Sequence, residues 1–194
     1  IMDAAIRLFA VKGYLNTTTQ DIIDEVNISR GLLYYHFKNK EDILYCIIDR
    51  FSNPLLERLE RLSFQGEGDA IDKVRAFINT TMIPEQNVTT ESSVLQDAIN
   101  LEENRYLLDR FYHKLSGRMT ECFSHIIEQG NQEGVFHVAA PMETAAFLMT
   151  GYIFVSNDAK LACQTSEQLM RFMDAYSVLL ERSLSVSKPI FSKD

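Results

Sequence analysis

Apolar residues recur every three to four positions along nearly the whole of this 194-residue chain. No run that alternates apolar with polar side chains between turn-forming residues, the mark of a half-buried strand, interrupts that pattern. The single periodicity restricts the chain to an all-helical fold. With 46% hydrophobic residues it can bury a sound core, arranged as a small N-terminal domain over 1–45 joined to a larger one over 46–194. The longest apolar stretch, 145–155, is broken by Thr150 and Gly151 and falls short of the roughly 20 residues a membrane span needs. No basic segment leading into an apolar run and a small-residue cleavage site opens the sequence, so a cytoplasmic protein is expected. Ile1 already falls within a helical pattern, which suggests a short segment ahead of it.

Ile1, Ala4, Ala5, Leu8 and Phe9 make one face of a first helix that Gly13 stops. Thr18 with Asp21 three residues on is an acidic variant of the capping box, opening a short helix that buries Ile22, Ile23 and Val26. Asn27-Ile28 is a very short connection, and Asn tolerates the left-handed backbone such a turn demands. Ser29 is then an N-cap for the helix that runs to Phe37. Two short helices joined this tightly are a helix-turn-helix, over about 18–37. A long helix follows from Glu41, with Pro54 expected to start or kink its continuation. Further helices are expected over 70–81, 92–101, 104–129, 141–156 and 166–184. The glycines at 66 and 68 and the span 130–134 are read as turns, 84–90 as a polar connection, and the chain end as a short polar tail.

A net charge of −8, from 19 Lys and Arg against 27 Asp and Glu, argues at first against a nucleic-acid partner. Its distribution reverses that. Residues 1–45 hold five cations and six acids, and Ser29 to Lys40 holds Arg30, Lys38, Lys40 and His36 with no acid at all. On a helical wheel Leu33 and Phe37 fall on one side of the second short helix, towards the helices before it. Gly31, Leu32, Tyr34 and Tyr35 fall on the other, where a solvated unit has no reason to expose a Leu and two Tyr. A major groove gives each a role: Leu32 and the Tyr rings against thymine methyls, Arg30 on guanine O6 and N7, Gly31 for close approach. Tyr hydroxyls, His36 and Lys40 would hold phosphates. Thr18 and Thr19 offer hydroxyls and backbone N–H groups at a helix N-terminus, and Gln20 could reach a base edge. The candidate DNA-binding set is thus Thr18, Thr19, Gln20, Ser29, Arg30, Gly31, Leu32, Tyr34, Tyr35, His36 and Lys40.

These residues resemble the TetR family of bacterial transcriptional regulators. The resemblance covers Ile6 to Leu44: Leu8-Phe9, Gly13-Tyr14, Thr17-Thr18, Ile22-Ile23, Val26-Asn27-Ile28-Ser29, Arg30-Gly31, Leu33-Tyr34-Tyr35-His36-Phe37 and Lys38-Asn39-Lys40-Glu41-Asp42-Ile43-Leu44. Asn27 stands where the family usually has Gly, and Ile23 where it often has Ala, so a slightly altered turn and wider packing are expected. The resemblance implies a homodimer, paired through the last two long helices, on a pseudo-palindromic double-stranded operator. It also implies a small-molecule effector in the C-terminal part whose binding releases DNA, the regulator usually being a repressor. Beyond residue 50 no motif extends it, and the ligand-binding residues stay unassigned.

Blander readings stand beside these. Leu32, Tyr34 and Tyr35 could pack on another part of the chain, and Thr18 would cap its helix with or without DNA. Glu121 and His125 stand four apart on one helix, with His113 two turns earlier, but with no second motif they are read as no metal site. Cys46, Cys122 and Cys163 are too far apart for a disulfide framework and are read as buried thiols. The acid excess over 46–194, 21 acids against 14 cations, suits a cationic or neutral lipophilic ligand and equally a plain solvated surface. No catalytic or cofactor fingerprint is present, so no enzyme and no cofactor are expected. The alternatives are a dimeric helical scaffold, or a helical enzyme acting on a small apolar substrate.

Overall fold

A computed structural model describes residues 1–81, 98, 101–162, 165–186 and 189–191. Among them are eight α-helices and no strand, which is the all-helical class the periodicity requires. The helices are α1 (Met2–Lys12), α2 (Thr19–Val26), α3 (Arg30–His36), α4 (Lys40–Glu60), α5 (Ala70–Thr81), α6 (Arg105–Glu133), α7 (Pro141–Ala162) and α8 (Ser166–Leu184). The connection expected over 84–90, most of the helix expected over 92–101, and Cys163 lie outside the described residues.

The chain forms two compact units, Ile1–Pro54 with Ile83–Phe111, and Leu55–Met82 with Tyr112–Asp194. In the first, Ala5, Ile6 and Phe9 of α1, Ile22 and Ile23 of α2, Leu33 of α3 and Ile43, Leu44, Ile47 and Ile48 of α4 share one core with Tyr14, Ala98 and Leu107. Each short helix has a defined end. Gly13 at φ 79° closes α1 with its N–H on the Phe9 carbonyl, a left-handed turn that costs a glycine nothing. Thr18 and Asp21 form the reciprocal capping box of α2. A cap of this kind stabilises by about 1 kcal/mol.

The second unit is built on α5 to α8. Phe77 and Phe123 meet edge to face at 5.2 Å, and the Thr81 and Tyr152 hydroxyls are 2.9 Å apart within the core. Tyr176 lies 4.8 Å from the Tyr152 ring and donates to the Leu148 carbonyl. Arg118 is paired with Glu60. Burial pushes the Cys122 thiol up to about 11, so it packs as a small apolar group.

The expected continuation of α4 beyond Pro54 is present without a break, and two features differ from the sequence reading. The α4 helix continues through Pro54 to Glu60 and into a π-helical turn, Arg61–Gln65. Its apolar face continues too: Leu56 and Leu59 are fully buried, and their burial outweighs the one hydrogen bond proline removes. Gly130, expected in a turn, lies inside α6. A Cβ there would stand 1.9 Å from the Phe136 ring, so this glycine serves close packing, and the turn comes at Gly134, φ 74°. The tail is not simply polar. Ile190 is buried, with its N–H and that of Phe191 on the Glu181 carboxylate, and Arg75 donates to the Ile190 carbonyl.

Candidate nucleic-acid interface

The turn between α2 and α3 depends on one residue. Asn27 adopts φ 55°, ψ 49°, and its N–H returns to the Asp24 carbonyl. Asparagine tolerates this left-handed conformation better than most side chains, which accommodates the departure from glycine. Ser29 then accepts from the Leu32 N–H at 3.2 Å and opens α3. Ile23 is 6% exposed and belongs to the core.

Helix α3 is seven residues long, and it divides as the wheel requires. Leu33 has no exposed surface, and Phe37 is half-buried just after it. Leu32 is 44% exposed, Tyr34 41% and Tyr35 82%, and Ser29, Arg30, Gly31 and His36 are exposed beside them. The rings therefore stay on the outside of their own unit, against the reading that packs them internally. A Cβ on Gly31 would meet nothing nearer than the Ser29 Oγ at 4.0 Å, so the fold itself does not require glycine there.

This surface is already ordered. The Tyr34 hydroxyl is 3.2 Å from that of Thr19, tying the start of α2 to α3. The Arg30 guanidinium lies 5.5 Å above the Tyr34 ring, a cation–π contact that limits its swing. The Thr19 hydroxyl, and secondarily the Arg30 charge, hold the Tyr34 phenol below its usual value. The Tyr35 and His36 rings meet edge to face at 5.0 Å.

Acids on α2 would oppose a phosphate backbone, but most are matched. Asp21 pairs with Lys12 at 2.7 Å and Glu25 with Arg7 at 3.2 Å. The Gln20 amide donates to Asp24 at 2.8 Å, so its reach towards a base edge starts from an occupied position. Lys12 and the Thr18 N–H and hydroxyl hold the Asp21 carboxyl well below the usual carboxylate range. Thr18 thus spends its hydroxyl on the cap, and half-buried Thr19 has its own against Tyr34.

Lys40, expected on a phosphate, is half-buried with its ammonium turned inward. Its ammonium donates to the Tyr14 carbonyl at 2.8 Å and the Thr17 carbonyl at 2.9 Å, with the Leu15 carbonyl at 3.5 Å. Lys38, which adds to the positive segment but receives no contact from the sequence reading, is exposed, its N–H on the Asp42 carboxylate. The charge pairs from α1 to α2 also escaped that reading, because cations on one helix and acids on the next carry no shared spacing. Among the described residues no group of His, Cys, Asp and Glu is gathered as a metal would need, and the His125 ring lies 4.8 Å from Phe64. No helix among them is long and apolar enough to cross a membrane.

Residues 1–45 match the family described as bacterial regulatory proteins, tetR family, and residues 88–176 match the tetracyclin repressor-like C-terminal domain. The chain is 44% identical over 61 residues to the biofilm operon icaADBC HTH-type negative transcriptional regulator IcaR of Staphylococcus epidermidis. That match takes in 31% of this chain and about a third (33%) of the relative's length. It is 29% identical over 146 residues to IcaR of Staphylococcus aureus, covering 66% of this chain and 76% of that one. Among solved structures, the fold is similar to SmeT, the repressor of the Stenotrophomonas maltophilia multidrug efflux pump SmeDEF. The TM-score there is 0.65 at 20% identity, over 98% of this chain and 91% of SmeT. It is also similar to reduced NemR of E. coli, with TM-score 0.59 at 17% identity over 96% and 97% of the two chains. With both the helix-turn-helix and the C-terminal part matching the same family, the chain belongs to the TetR family of bacterial transcriptional regulators.

Proposed function

We propose that this chain is a ligand-responsive repressor that binds a pseudo-palindromic operator as a homodimer, through the outward face of α3 and the start of α2. The observation that carries the reading is that face: Leu32, Tyr34 and Tyr35 exposed beside Arg30 and His36, with Leu33 holding the helix from behind. Arg30 and Gly31 address base edges, Leu32 and the rings address thymine methyls, and Thr19, the tyrosine hydroxyls and His36 address phosphates. Thr18, Gln20 and Ser29 border the same surface.

Pairing is assigned to α7 and α8. Phe147 is 84% exposed on α7, and Phe172 and Leu179, two turns apart on one side of α8, are exposed together with Met170 and Val178, apolar surface that a second copy would cover. The effector site is assigned to the second unit. Relatives support the repressor and effector roles: IcaR is described as a negative regulator, and SmeT has been solved in a complex with triclosan. A small lipophilic effector would act by favouring a dimer that DNA does not fit, so that effector and operator weaken each other reciprocally. This makes the chain a regulator and not a catalyst, and it works in the compartment that holds the DNA.

Selecting duplexes from a random pool, then titrating the best at several salt concentrations, tests the reading. The expected result is specific binding that weakens steeply with salt. Binding to all sequences alike, or to none, would reject it.

A further inference from the structure

The loop joining α1 to α2 carries the chain from the Gly13 turn to the Thr18 cap, and so sets where the helix-turn-helix begins. Tyr14 and Thr17 of this loop are buried, and the Thr17 N–H reaches the Tyr14 carbonyl at 3.3 Å, yet three carbonyls turned to one side of it have lone pairs left to satisfy. They find their donor in Lys40, at the first position of α4. A lysine ammonium has three protons, and three carbonyl oxygens, of Tyr14, Leu15 and Thr17, lie within 3.5 Å of this one. The Tyr14 ring closes the remaining side, 4.2 Å from Nζ. Carbonyl oxygens and an aromatic face thereby replace part of the water a lysine normally keeps. Thr17 is nearly fully buried, and its hydroxyl donates to the Gly13 carbonyl at 2.8 Å, so the loop is fastened from both sides.

We infer that Lys40 is a positioning residue: it clamps the α1–α2 loop to α4, fixing the start of α2 and with it the Thr19–Tyr34 tie to α3, and contributes no phosphate contact. The inference depends on the DNA-binding role proposed above, because a clamp on this loop matters to function only if α2 and α3 dock on DNA. A lysine serving as a phosphate donor would have to break three hydrogen bonds and leave the Tyr14 face before it could bind.

The test uses the full-length chain, Lys40→Met and a duplex selected by the wild type. At a temperature well below the melting point of either protein, Lys40→Met is expected to bind at least tenfold more weakly, with an unchanged slope of log affinity against log salt concentration. It is also expected to melt lower. A phosphate contact would instead reduce the slope by about one, and that result overturns the inference. So does unchanged affinity in the folded variant, which would leave Lys40 a stability role only. Should Lys40→Met fail to fold, acylation of the wild-type lysines decides, followed residue by residue by mass spectrometry with and without DNA. The clamp predicts slow labelling of Lys40 in both states. Labelling of free Lys40 as fast as that of exposed Lys38, and protected by DNA, overturns it. If the wild type selects no duplex, the DNA-binding proposal fails, while the labelling rate still reports on the clamp.

Discussion

Two regions of this molecule expose large apolar side chains, and they differ in their company. On α3, Leu32, Tyr34 and Tyr35 stand beside Arg30 and His36 on a segment with no acid between Ser29 and Lys40. On α8, Met170, Phe172, Val178 and Leu179 share their helix with both signs of charge, Glu167 paired with Arg171 and Asp174 close by. Apolar surface alone says only that something covers it. The charge beside it chooses the cover: cations with no opposing acid suit a polyanion, and balanced charge suits another copy of the same surface. The first face is short and ordered by side-chain contacts. The second is made of exposed side chains on the two helices to which pairing is assigned as a proposal.

Substitutions can break that contrast. The largest effect is expected from Leu179→Asp, which places a carboxylate in the proposed pairing face and should weaken dimerisation by about 4 kcal/mol, read by sedimentation equilibrium. Tyr35→Asp should leave the dimer intact while abolishing operator binding. If both variants stay dimeric, the assignment of the two faces fails. Next comes a contrast within α3. Leu33→Ala should cost about 3 kcal/mol in urea unfolding, as a fully buried leucine does. Leu32→Ala should change stability by less than about 0.5 kcal/mol yet weaken operator binding.

Arg30→Ala should cost about 1–3 kcal/mol on the selected duplex and relax preference at one base pair, measured by binding to single-substitution duplexes. Equal losses on every sequence would demote Arg30 to a backbone contact. Gly31→Ala sharpens the point: with open space at its Cβ, alanine should stabilise the helix by about 0.5–1 kcal/mol while reducing DNA affinity through lost close approach. The smallest effect concerns acid. The Asp21 carboxyl is held low by Lys12 and Thr18, so its contribution is present above the unfolded value of about 4 and is lost as pH falls through the folded one. Asp21→Asn should flatten the acid limb of a pH-dependent melting curve.

The first unit could be read in the sequence because its functions are local. A cap at Thr18, a left-handed Asn27 and an N-cap at Ser29 are decided within a few residues of chain, and the outward set on α3 follows from helical spacing. What escaped the sequence depends on distance. Lys40 is a solvated cation by every local rule, yet the carbonyls it serves lie more than twenty residues earlier. Gly130 looks like a turn residue until the Phe136 ring is seen against it. Ile190 sits in a stretch that reads as polar, and besides Glu181 nearby it docks on Arg75, which stands 115 residues earlier. The second unit has no motif for the same reason: a pocket or a pairing face is assembled from several helices, and no short spacing encodes it.

One double variant tests whether the outward side of α3 reads DNA, as proposed. The double variant Leu32→Ala with Tyr35→Ala removes that side and leaves Leu33 and the caps untouched. It is compared with wild type in thermal melting and in titration against the selected duplex and a scrambled one. The account predicts equal melting and loss of preference for the selected duplex, leaving only salt-sensitive binding common to both. Wild-type affinity and preference in the folded variant would contradict it.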